Sequence, residues 1–239
     1  MLSRPLLRMP ALLAALAVFG SAPVWGAPNG LTQIPIAKVF GDGVASISLA
    51  RVAQSSQATT YTTQYGIANL FEVGLDYQAS PPGQETVLSN FKYLIAHRPG
   101  RLPDIALGMT NVATGQQAVP YAVATTQPGA TGLSLGLIRP SGGHAYDGMA
   151  GVSYNITPTV ELVADDIGGR DNYATFGVIA NVTKTISLNV AYSQPCSSDG
   201  GANLKGYIVN LAYTFHLKGG GGAASTQNKN PAAGTGGAS

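Results

Sequence analysis

From Tyr207 to Leu217, hydrophobic and polar positions alternate. Tyr207, Val209, Leu211, Tyr213, Phe215 and Leu217 share one face, while Asn210, Ala212, Thr214 and His216 share the other with Ile208. Successive side chains of a β-strand point to opposite sides of a sheet, so this period of two predicts a strand with two chemically different faces. The same phase recurs in Ile186, Leu188, Val190 and Tyr192, in Phe71, Val73, Leu75 and Tyr77, and in Phe91, Tyr93 and Ile95. Shorter runs around Ile47, Leu107, Leu135, Leu162 and Val178 repeat it. Beyond the N-terminal region no stretch approaches the roughly 20 apolar residues of a membrane helix. The pattern predicts an all-β chain.

Alternation alone fits a sandwich, whose apolar faces pack inward, or a barrel, whose apolar face meets lipid. Three features favour the barrel. Connections differ in length: Gly66 to Asn69, Asn155 to Pro158 and Asn181 to Lys184 are tight, whereas Ala53 to Ala58, Gln78 to Val87 and Ser193 to Leu204 are longer and mostly polar. Outer-membrane barrels have short periplasmic turns and longer external loops. Aromatic residues gather at strand ends, where amphipathic rings suit the two membrane interfaces. Tyr65, Phe71, Tyr154, Tyr213 and Phe215 lie toward the short turns or the C-terminus, and Tyr61, Tyr77, Phe91, Tyr146, Tyr192 and Tyr207 lie toward the longer connections. Tyr173 breaks the phase of its strand and is expected inside. Finally, the polar face is rich in small residues such as Gly74, Gly108, Ser134 and Gly177, which ease curvature and leave space inside a closed sheet. The fold expected is a transmembrane antiparallel up-and-down β-barrel of about twelve strands. Ten or eight strands remain alternatives, because Pro120 removes a ladder donor from the segment Val119 to Thr125. An even count returns both termini to the periplasm.

The N-terminus adds an export signal. Arg4 and Arg8 precede the apolar run Ala11 to Phe19 and then small residues up to Ala27, the pattern of a secretory signal peptide. The domain reading is a signal peptide over 1–27, a periplasmic N-terminal segment over 28–43, the barrel over 44–217, and a disordered Gly/Ala/Ser-rich tail over 218–239. Composition supports an exported membrane protein: 10% of residues are charged and 45% hydrophobic, against about 25% charged in an average soluble domain. The net charge of +2 points to no nucleic-acid partner. Cys196 is the only cysteine, so no internal disulfide can form.

Candidate chemistry concentrates on the polar face. Glu72, Asp76, Glu161 and Asp165 fall there with Lys92, an acidic excess suited to tuning the ion selectivity of a pore. The competing reading pairs Lys92 with Glu72 and plugs the lumen. Enzymatic readings are weaker. His97, His144 and His216 occupy no nucleophile motif. The adjacent acids Asp165 and Asp166 superficially suggest outer-membrane aspartyl proteases, yet a bare acid pair is more often a chance loop feature. No spacing of His, Cys or carboxylates suggests a metal, and no cofactor motif appears. No catalytic residue is assigned.

Two resemblances follow from particular residues. Asn203, Gly206, Val209 and Leu211, followed by Tyr213 and Phe215, resemble the terminal-strand signal read by the barrel-assembly machinery of Gram-negative outer membranes. That resemblance implies outer-membrane lipid and the assembly machinery as partners. Gly30, Pro35, Ala37, Asp42 and Gly43, then Glu72, Gly74, Lys92, Tyr93, Pro103, Ala106 and Gly108, are similar to the N-terminal part of barrels associated with exopolysaccharide production. This implies a role in polysaccharide export or the envelope. The functions expected are a passive channel or export-associated barrel for small solutes or polysaccharide, then an occluded structural or partner-binding barrel, and third an outer-membrane hydrolase.

Overall fold

The structure is a computed structural model that describes residues 30–53, 59–79, 85–97, 102–112, 117–139, 145–169, 173–196 and 205–217. The proposed signal peptide, the tail over 218–239 and Asn203 lie outside the described residues. Twelve strands are formed: β1 (Val44–Ala53), β2 (Thr59–Ile67), β3 (Phe71–Ala79), β4 (Thr86–Ala96), β5 (Asp104–Val112), β6 (Val119–Thr126), β7 (Thr131–Ile138), β8 (Asp147–Thr157), β9 (Val160–Ile167), β10 (Tyr173–Asn181), β11 (Ile186–Pro195) and β12 (Gly206–His216). Each pairs antiparallel with its neighbours in sequence. β1 closes the ring against β12, in an unbroken register from Val44 opposite His216 to Ala53 opposite Tyr207.

The alternating sequence explains both faces. On β3, Phe71, Val73, Leu75 and Tyr77 are exposed on the outside while Glu72 and Asp76 are fully buried inside. β7 and β8 repeat the arrangement, with Leu133, Leu135, Leu137, Val152 and Tyr154 outward and Ser134 and Ser153 buried. The tight connection between β2 and β3 has Ala68 and Asn69 at φ 54° and 56°, with Leu70 N–H donating to Ile67 O at 3.1 Å. Positive φ at both central residues matches the right-handed twist of the flanking strands.

The segment containing Pro120 is a full strand, so twelve stands and the smaller counts do not. Proline is tolerated because it is the second residue of β6, whose carbonyl still accepts the Arg139 N–H at 3.0 Å. β6 also inverts the usual phase: Val119, Tyr121 and Val123 are buried inside, and Pro120, Ala122 and Ala124 face outward. On β5, Asn111 at φ 61° lies where the pairing with β4 shifts register. Such a bulge re-aims the side chains around it.

Gly108 on β5 stands between Lys92 on β4 and Tyr121 on β6. The Tyr121 ring lies directly over it, where a methyl group would overlap the ring. Gly108→Ala is therefore expected to destabilise the refolded barrel by about 1–3 kcal/mol, the usual cost of overpacking. Urea unfolding in lipid vesicles followed by circular dichroism checks this; an unchanged midpoint would contradict it.

Candidate functional site

The interior is the candidate site, and part of it is occupied by the chain itself. Residues 30–40, part of the stretch 28–43 read from the sequence as a periplasmic segment, lie against the inner wall. They begin with a small turn, where Gly30 bridges Pro35 and Leu31 N–H donates to Ile34 O at 3.1 Å. Three successive amides on this turn, from Thr32, Gln33 and Ile34, converge on Asp165 Oδ2 at 2.7, 2.8 and 3.5 Å. Thr175 on β10 donates to the other oxygen. A carboxylate held by several amides can be buried because its charge is met by fixed dipoles.

Further along, Ala37 N–H donates to Thr125 Oγ1 at 2.9 Å, Lys38 Nζ to Gln127 Oε1 at 2.6 Å, and Phe40 N–H to Glu72 Oε2 at 3.0 Å. At the rim, Asp42 N–H donates to Asn69 Oδ1 at 2.9 Å and Ala68 N–H returns a bond to Asp42 Oδ1 at 2.7 Å. Apolar contacts fill the spaces between these anchors. Ile34 and Ala37 are fully buried with Ala106, Tyr121, Val123 and Met149, flanked by Leu31, Ile138 and Ile167. The inverted phase of β6 thus has a local cause: its apolar residues meet the N-terminal segment.

Two glycines give this segment its room. A methyl group at Gly66 would overlap the carbonyl oxygens of Phe40 and Gly41, and one at Gly151 would meet the Leu31 and Ile34 side chains. Neither position has a sequence signature beyond being a glycine in a strand, which signals close approach of another backbone without saying which.

The charges singled out from the sequence separate into two groups. Glu72 and Lys92 are register partners on β3 and β4, with Lys92 Nζ 3.4 Å from Glu72 Oε1 and both side chains fully buried. Asp76 is also fully buried and accepts a bond from Asn90. Asp165 is 4% exposed and holds the N-terminal turn. Glu161, near the short-turn end of β9, is only partly buried. It belongs to a polar stretch that water reaches, formed by Asn181, Ser187, Asn210, Thr214 and Ser48 on β10, β11, β12 and β1. Beside it lies Asn189, the register partner of Asn210, and each leaves its side-chain oxygen buried without a protein donor. Toward the longer connections the wall tightens, with Thr175, Ser193 and Ile208 buried.

The outer aromatics form contacting pairs near both ends. Tyr61 and Tyr77 have ring centroids 6.2 Å apart and Tyr192 and Tyr207 5.3 Å apart toward the longer connections, while Tyr213 and Phe215 stack at 5.4 Å toward the other end. Phe71 stacks at 4.7 Å on Tyr93, a residue the sequence reading did not assign to a girdle. Tyr65 and Phe91 lie on outward positions of β2 and β4, Tyr154 is exposed on β8, and Tyr146 is exposed just before β8. Tyr173 is buried inside. Of the assembly-signal residues, Gly206 begins β12, and Val209 and Leu211 sit on its outward face opposite Val190 and Leu188.

Two predictions follow from these groups. Lys92→Met leaves Glu72 buried without its cation and is expected to cost about 3–5 kcal/mol in unfolding measurements, with Lys92→Met combined with Glu72→Leu recovering much of the loss. A double variant as unstable as the single one would contradict the pairing. Outside the strands, the Cys196 thiol lies 3.1 Å from Asp166 Oδ1 and 3.8 Å from Ile167 O. Partial burial pushes the thiol up to about 11, and the hydrogen bond and the charge of Asp166 act in the same direction. Because the thiolate is the nucleophile, alkylation at pH 8 is expected to be slower than for free cysteine and faster in Asp166→Asn. Equal rates in the two proteins would refute the role of Asp166.

No protein-family model matches the sequence, and no curated protein matches it. Among solved structures the chain is similar to a KdgM porin, with 13% sequence identity and a TM-score of 0.56 over 72% of this chain and 99% of that one. A NanC porin matches with 13% identity and a TM-score of 0.49, over 72% of this chain and all of the other. The likeness to the KdgM porin shows the fold: this chain is a closed twelve-strand barrel of the kind built by outer-membrane porins.

Proposed function

We propose that the protein is a porin-type passive channel of the Gram-negative outer membrane, for ions and small polar solutes. In this reading the signal peptide exports the chain, the barrel-assembly machinery inserts it into outer-membrane lipid through β12, and both termini lie in the periplasm. The observation that carries the channel is the inner wall from β9 to β12 and β1, where small and polar residues, Glu161 among them, leave a stretch that water reaches inside a closed sheet. A barrel serving only as a scaffold gains nothing from keeping this wall polar and hydrated. The KdgM porin of similar fold points the same way.

One observation favours a second reading, an occluded barrel that binds partners through its loops: Glu72, Asp76 and Lys92 are all fully buried. Planar-bilayer recordings separate the two. Purified, refolded protein is expected to give small, discrete conductance steps with a preference for cations, because the acids of the inner face outnumber the interior lysines Lys38 and Lys92. Absence of any channel activity would favour the occluded barrel and remove the channel.

A further inference from the structure

We infer that residues 30–40 are the channel's resident constriction, that solute passes beside this segment along the partly buried polar stretch of Glu161, Asn181, Ser187, Asn210, Thr214 and Ser48, and that Glu161 contributes to its cation preference. The inference rests on the channel reading and deepens it.

The fit of the segment argues that it stays in place. Its anchors are spread around the barrel, on Asp165 of β9, Thr125 of β6 and Glu72 of β3. The wall is relieved at Gly66 and Gly151 where the segment comes closest, and β6 turns its apolar side chains inward to meet Ile34 and Ala37. A segment that swung out would strip Asp165 of three amide donors and Thr125 and Glu72 of one each, and would leave an apolar patch in water. These costs fall together, because the anchors belong to one short stretch of chain.

The remaining space dictates what is read. Glu72 is matched by Lys92 and the Phe40 amide, and Asp165 by three amides and Thr175, so neither presents an open charge. Asp76 is sealed. Glu161 is only partly buried, as are Asp104 and Asp147 on the inner faces of β5 and β8, but Asp104 lies 3.0 Å from His97 and Asp147 begins β8 at the opposite rim. Alongside Glu161, Asn181, Ser187, Asn210 and Thr214 are only partly buried, so the wall offers polar groups to whatever passes. Polar side chains with a carboxylate among them favour cations over anions.

Three variants in a Cys196→Ser background test this in planar bilayers. Glu161→Gln is expected to lose part of the cation preference measured by reversal potential in a salt gradient, with channels still forming. Thr32 Oγ1 lies 3.4 Å from Asn189 Nδ2, so Thr32→Cys with Asn189→Cys can be joined by an oxidant to lock the segment to β11. A resident constriction predicts the same conductance locked and reduced. Ser187→Cys on the hydrated wall should react with a charged, membrane-impermeant thiol reagent and lose conductance, while Ser134→Cys, buried on β7, should not. Channels that close when the segment is locked would show it to be a moving gate, and unaltered selectivity in Glu161→Gln would place the route elsewhere; either result overturns the inference while leaving a channel. Wild-type protein without channels removes the channel reading itself.

Discussion

Everything in this molecule depends on closing one hydrogen-bond ladder. In lipid an unpaired peptide N–H or carbonyl has no water to turn to, and each costs several kcal/mol, so a sheet survives there only as a ring. The seam between β1 and β12 meets that requirement in continuous register along the whole of β1. Strand order, the parity that brings both ends of the ring to one rim, and the division into an outer and an inner face all follow from that closure.

Closure moves the difficulty inward. A twelve-strand ring encloses more volume than small side chains can fill, and charged groups inside are costly unless each finds a partner. The protein answers with its own N-terminal segment on one side and hydrated polar residues on the other. On the occupied side, backbone amides serve as the counterparts of carboxylates, as Asp165 and Glu72 show. On the other side, Asn181, Ser187, Asn210, Thr214 and Ser48 are only partly buried.

How much of this was legible depends on which face carries the signal. The outward residues of β3, β7 and β12 are apolar because lipid demands it, so their period of two reads directly from the sequence. Tyr173 could be placed inside because it broke the phase. β6 was harder, since its large residues point inward and Pro120 argues against a strand. The Gly30 to Phe40 stretch has no periodicity, because its anchors are mostly backbone amides, which every residue but proline possesses. Lys92 and Glu72 could be paired in advance, as cross-strand neighbours of opposite charge, but the third participant, the Phe40 amide, leaves no trace in composition. The difference in burial between Glu161 and the pair Glu72 and Asp165 depends on where that segment lies, and so was out of reach.

The inverted phase of β6 has its own consequence. Its outward residues Pro120, Ala122 and Ala124 offer the bilayer little apolar area, and its affinity for its place is directed instead to Ile34 and Ala37. For this strand the N-terminal segment does what hydrocarbon does for its neighbours. The wall of the barrel is therefore not equally anchored around its circumference: one stave is held from within, and its grip on the ring is tied to a piece of chain that belongs to none of the twelve strands.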